Sequence, residues 1–178
     1  AKKRQRLWLL KRQEDVANLK TGIEDLGHVD IESELANHGL LEEFYTKQKT
    51  LQEAERWITS LDQDDSKQQK LVAKLDKEIH LLEEHKCHSC GQEIHDDKQQ
   101  TIVESKTSQK QDAEAHVNDN NIKREEYIAV IQEIGNIGSA PTVFYDTLQD
   151  AYNHRTSLDA LKKELEQREN QEDPYDEQ

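Results

Sequence analysis

The stretch FYTKQKTLQEAERWITSLDQDDSKQQKLVAKLDKEIHLL, residues 44–82, takes a heptad frame without a skip. Its a positions are Phe44, Leu51, Ile58, Asp65, Val72 and Ile79, and its d positions are Lys47, Ala54, Leu61, Gln68, Leu75 and Leu82. Nine of these twelve are apolar, while Glu43, Gln52, Glu55 and Lys74 occupy other faces. A stripe this narrow at a 3.5-residue period is the seam of a coiled coil, not the wider face of a helix on a globular core. Lys47, Asp65 and Gln68 weaken the seam and help to fix its register.

The same spacing extends outward in both directions. Leu9, Arg12, Val16, Leu19, Ile23 and Leu26 are apolar at five of six positions. Beyond residue 100, Val103, Ala113, Val117, Tyr127, Ile131 and Ile134 keep seam spacing, interrupted by Lys106, Lys110, Asn120 and Arg124. Ser139 and Pro141 signal the start of a last helix carrying Phe144, Ala151, Leu158, Leu161 and Leu165, with a charged tail from Asn170 onward.

Composition agrees with a thin seam. Of 178 residues, 33% are hydrophobic and 35% charged, against about 45–50% and about 25% in an ordinary domain. That excludes most enzymes with a thick core. Six Gly and two Pro are too few for an all-β chain or a Pro/Ser-type linker. The longest apolar runs, Leu7 to Leu10 and Ile128 to Ile131, are far too short to span a bilayer. A formal charge of −14 disfavours wholesale binding to a phosphate backbone. The chain contains no Met and opens on Ala1, Lys2, Lys3 and Arg4, which reads as a piece of a larger protein. Its two cysteines do not form a secreted disulfide framework, so a reducing, cytoplasm-like compartment is expected.

The cysteines stand at the centre: 86 residues precede Cys87 and 88 follow Cys90. If two helical arms fold back there, residue n lies beside residue 177 − n. Gly39, read as a helix C′ glycine, then falls opposite Gly138 in the break from Gly135 to Pro141. The basic start, Lys2, Lys3, Arg4, Arg6, Lys11 and Arg12, falls opposite Glu164, Glu166, Glu169, Glu172, Asp173 and Asp176. The expected fold is all-α: a long antiparallel coiled-coil hairpin with an ascending arm over 1–86, an apex over 87–95 and a descending arm over 96–178. Breaks are expected near 27–39 and 135–141. Each arm reaches at most about 130 Å if continuously helical. The basic start is read first as half of a charge zipper, and second as a DNA grip.

The apex reads His85, Lys86, Cys87, His88, Ser89, Cys90, Gly91, Gln92, Glu93, Ile94, His95. Two thiolates three positions apart can share one Zn²⁺, and a following Gly permits a tight turn. A structural zinc site has four ligands, and the chain holds no second Cys pair. Two completions are open. Cys87 and Cys90 of two chains can make a symmetric Cys₄ site, with one zinc per dimer. Alternatively, His85 or His95 completes a single-chain, knuckle-like site on a monomeric partner-binding hairpin, although position 100 is Gln. A redox dithiol lacks the βαβ context such a motif normally has, and a packing role or an adventitious disulfide is the bland reading. His80, His85, His88 and His95 crowd the apex, but each reads first as a solvated helix residue; only the two cysteines are assigned to metal.

A fold-back coiled coil with a central C-x-x-C resembles the zinc-hook segment of the SbcC-type, SMC-like ATPases of DNA double-strand-break repair. The layout covers the whole chain, and the matching letters are Cys87, Cys90 and Gly91. The family often has Pro after the first hook cysteine, where this chain has His88. The resemblance implies a homodimer joined by one Zn²⁺ shared between Cys87 and Cys90 of each copy. It also implies a partner nuclease and DNA reached through head domains that lie outside this chain, and a cytoplasmic, nucleoid-associated setting. If the arms are complete, they suit a compact phage recombination-endonuclease subunit in a host cytoplasm. No G-x-x-x-x-G-K-[ST] loop occurs, so ATP hydrolysis in an exonuclease or endonuclease complex would belong to other parts of the parent protein.

Overall fold

A computed structural model describes residues 2–84, 90 and 98–176. Among them the chain is all-α, with helices α1 (Lys2–Leu26), α2 (Ile31–Glu83), α3 (Lys98–Ile134) and α4 (Leu148–Glu169) and no strand. It divides into two compact units: residues 1–45 with 139–178, and residues 46–138. The long helix α2 contributes to both.

In the second unit α2 and α3 run antiparallel, and burial follows the heptad frame. Ala54, Asp65, Leu75 and Leu82 are buried on α2, and Ala113 and Asn120 on α3. Lys47 is the exception, standing exposed while Gln48 turns partly inward. The polar residues that interrupt the α3 seam are the ones that reach across it. Lys106 Nζ lies 2.6 Å from Glu78 Oε2, and Lys110 Nζ 2.5 Å from Asp76 Oδ1. Asn120 Nδ2 donates to Asp64 Oδ2 at 2.7 Å and to Asp65 Oδ1 at 2.9 Å. Arg124 pairs with Asp65 and, at 2.9 Å, with Asp62. The Trp57 and Tyr127 rings stack at 6.3 Å with planes 6° apart.

These pairs correct the expected register. Glu78 with Lys106, Trp57 with Tyr127, and Asp64 with Asn120 each sum to 184, not 177. The difference is seven, one full heptad. A seam pattern is unchanged by a shift of seven, so hydrophobic spacing alone cannot separate the two alignments; the polar pairs separate them.

In the first unit α1 packs against α4. The inward positions of α4 are Ala151, His154, Leu158, Leu161, Leu165 and Arg168. A side chain at Gly22 would meet Leu161 Cδ1 at 3.3 Å, so a residue without Cβ suits this close approach. On α1, Trp8 lies inward in place of the expected Leu9, which is exposed. The charge zipper does not form as drawn. Arg12 donates to the backbone carbonyls of Arg168 and Glu169 at the end of α4, a favourable place for a cation. Gln5, not a cation, reaches Asp173 at 2.7 Å. Among the described residues no ion pair joins Lys2, Lys3, Arg4, Arg6 or Lys11 to α4. Gln5 and Asp173 sum to 178, within one residue of the expected alignment, so at this end it is the choice of partners and not the register that differs from the drawn zipper.

Two sequence expectations about helix ends are also corrected. Gly39 lies inside α2, with open space where a side chain would stand. An interior Gly costs a helix only about 1 kcal/mol, which the packing of its neighbours offsets. The first interruption occupies residues 27–30, at the start of the expected break near 27–39, where Asp30 caps α2: its carboxylate accepts from Ser33 N at 3.2 Å and Ser33 Oγ at 3.0 Å. The second spans residues 135–147. Gly135, at φ +65°, ends α3 through an N–H bond to the Ile131 carbonyl. The last helix begins at Leu148, not near Ser139 and Pro141, because Thr147 supplies the cap: its Oγ1 accepts from Asp150 N at 3.1 Å. Thr147→Ala should therefore cost about 1 kcal/mol, seen as a lower urea midpoint with an unchanged slope; an unchanged midpoint would mean that the cap is dispensable.

Candidate metal centre

The connection that carries C-x-x-C joins two helix ends held side by side. Leu82, the largest fully buried side chain among the described residues, packs one residue before the end of α2. Gln99 Nε2, on the first turn of α3, donates to its carbonyl. His80 and Glu84 pair at 3.1 Å on the exposed side of the same turn.

Of the expected metal ligands, Cys90 is described, and its thiol is exposed. Cys87 lies outside the described residues, as do His85, His88, His95 and Gly91. The ligand set is thus not placed as a set. What is on hand fits zinc in kind: an accessible thiol, paired in sequence with a second thiol three positions away. No family model, curated protein or solved structure matches the chain.

Two polar clusters elsewhere were not foreseen as clusters. The first is the seam group Asp64, Asp65, Asn120 and Arg124. Burial pushes the Asp65 carboxyl up, but the Asn120 amide and the Arg124 guanidinium outweigh it and hold it below its ordinary value. The second lies in the first unit, where the chain twice leaves the helix. Glu34, almost wholly buried, accepts from Phe144 N with both oxygens at 2.9 Å and from Tyr145 N at 3.0 Å. His38, four residues on and also buried, donates Nε2–H to Glu34 Oε1 at 3.0 Å. Buried His154 donates Nε2–H to the Leu26 carbonyl at 3.0 Å, and its other nitrogen accepts from the Tyr145 hydroxyl at 2.7 Å. Glu34 and His38 sit at helical spacing, but nothing local marks them as buried, because Glu34, which holds His38, is itself bonded to backbone more than 100 residues away.

The Glu34 arrangement has a pH consequence. Burial raises its carboxyl, yet the two backbone amides and His38 pull it further the other way, leaving it below the ordinary 4.5. A lowered folded value means that the clamp's full contribution is present above pH 4.5 and is lost as pH falls through the folded value. The stability difference between the wild type and Glu34→Gln should shrink as pH falls below 4.5. Urea midpoints of both proteins from pH 4.5 to pH 3 test this; a difference that grows over that range would refute the assignment.

Proposed function

We propose that this chain is the coiled-coil and zinc-hook segment of an SbcC-type, SMC-like ATPase of DNA double-strand-break repair and recombination. In this reading two copies meet at their apices, and Cys87 and Cys90 of each together hold one Zn²⁺. The pairing tethers head domains or DNA ends. The observation that carries the reading is the antiparallel pairing of α2 with α3 around a connection containing C-x-x-C, with Cys90 open to approach. Four thiolates on one ion join two chains through very little buried area, which suits a chain with so thin a core. The interruptions at 27–30 and 135–147 would act as a joint in the arms. Catalysis is assigned to the parent protein's ATPase heads and partner nuclease, not to this segment, and the working compartment is a cytoplasm that keeps thiols reduced.

Zinc content per chain, measured with absolute molar mass by light scattering before and after chelation, tests the proposal. Half a zinc per chain in a dimer that chelator splits is the expected result. One zinc per monomer would overturn it, and would favour the self-contained site completed by His85 or His95.

A further inference from the structure

The interruption between α3 and α4 is long: residues 135–147 carry no helix or strand. Connections of this length without internal structure are uncommon in compact proteins, and are usually functional or disordered. This one is ordered in an unusual way, since not one of its side chains is buried. Phe144 is 63% exposed, and no side chain added at Gly138 would meet anything within 4 Å. The segment's apolar side chains are buried only in part: Ile137, Pro141, Val143 and Tyr145 are half-buried, and the Phe144 ring meets His28 edge-on at 5.6 Å. The segment is held near one end, by the bonds from Phe144 N and Tyr145 N to Glu34 and from the Tyr145 hydroxyl to His154. Its other end carries Gly135 and Gly138, at φ +65° and +66°, a conformation in which glycine is free of strain.

We propose that residues 135–147 form a detachable strap, docked by the Glu34 carboxylate and able to open without unfolding the helices that flank it. The anchor is strong while it is made, because two backbone donors share one buried anion. It is also local: three donor groups part, and little apolar surface is wetted, since Ile137, Pro141, Val143 and Tyr145 are only half-buried to begin with. Segments with few buried contacts and a small number of polar anchors open at free energies well below global unfolding. Once released, the strap can extend to a reach of about 45 Å, giving the chain slack between α3 and α4 that a continuous helix would not have. Two glycines at the swivel end and the Thr147 cap at the other confine the change to the strap.

Hydrogen exchange of the full-length chain, followed by mass spectrometry, tests this with Glu34→Gln against Glu32→Gln, an exposed neighbour on the same turn. In Glu34→Gln the new amide offers one oxygen to a pair of donors, and its own N–H groups face the other. Peptides covering 139–147 should exchange at least about tenfold faster in Glu34→Gln, with α1, α2 and α4 protected as in the wild type and Glu32→Gln unchanged. Tyr145→Phe, which keeps both amide bonds, should retain most of the protection and serves as the second variant. The proposal fails if the strap exchanges freely in the wild type, if Glu34→Gln leaves it protected, or if the flanking helices lose protection together with it.

Discussion

Replacing both Cys87 and Cys90 with Ser is expected to abolish zinc-dependent pairing of two chains while leaving helix content nearly unchanged. Among the described residues α2 and α3 are held by the seam and by the pairs from Glu78–Lys106 to Asp62–Arg124, none of which involves a cysteine. The association, in contrast, would owe nearly everything to the cysteines. Structural zinc contributes apparent free energies of about 10–16 kcal/mol in small peptides, so removing the thiolates should shift the dimer by many orders of magnitude. Serine is close in size but is a poor zinc ligand, which separates coordination from packing. Light scattering of the double variant with added zinc reads the result directly. Dimers that persist and still respond to chelator would mean that the metal is held elsewhere. His95→Ala should leave the mass unchanged if four thiolates suffice.

The second large effect is expected at the polar group inside the seam. Arg124→Leu leaves Asp65, 12% exposed, without its cation, and should cost about 2–3 kcal/mol. Replacing Asp65, Asn120 and Arg124 together with Leu should restore or exceed wild-type stability, because a matched apolar layer can be as stable as a buried polar one. What the triple variant should lose is uniqueness. In the native alignment Asp65 meets Asn120 and Arg124. A slip of one heptad would set Asp65 against Ala113 or Tyr127, and Asn120 against Val72 or Ile58, stranding a buried carboxylate and a buried amide. With leucines there, the slipped alignments carry no such penalty. Spin labels at the exposed positions 70 and 115 would read a slip as a displacement of about 10 Å along the helix axis. One narrow distance in the wild type and two or more in the triple variant is the expected pair of results; a single distance in both would show that the alignment is fixed elsewhere.

How much of the fold is legible in the sequence depends on the kind of information. The α2 seam is readable residue by residue, since a 3.5-residue period over residues 44–82 leaves little else to form. The fainter α3 seam is readable too, including Lys106, Lys110, Asn120 and Arg124 as interruptions. Their partners are not, because alignment of two arms depends on which heptad faces which, and the period does not say. Gly39 misleads because glycine's helix penalty is smaller than the packing around it. Thr147 is passed over in favour of Ser139 and Pro141, since all three are ordinary start signals and only tertiary contact chooses among them. Glu34, His38 and His154 escape notice for a related reason: polar residues enter a core only when a distant segment supplies partners. The metal motif is the opposite case. C-x-x-C is legible as chemistry at a glance, while its ligand geometry is not.

The thinness of the core has a calorimetric consequence. Among the described residues the buried apolar side chains are Val29, Ile31, Ala54, Leu75, Leu82, Ala113 and Ala151, three of them alanines. Unfolding such a chain wets little apolar surface that was not already wet. Its heat-capacity increment should therefore fall below the usual ~12–15 cal/mol/K per residue. A small increment flattens the dependence of stability on temperature. The chain should then melt over a broad range and lose little stability in the cold, because the weakening of hydrophobic burial that drives cold denaturation has so little burial to act on.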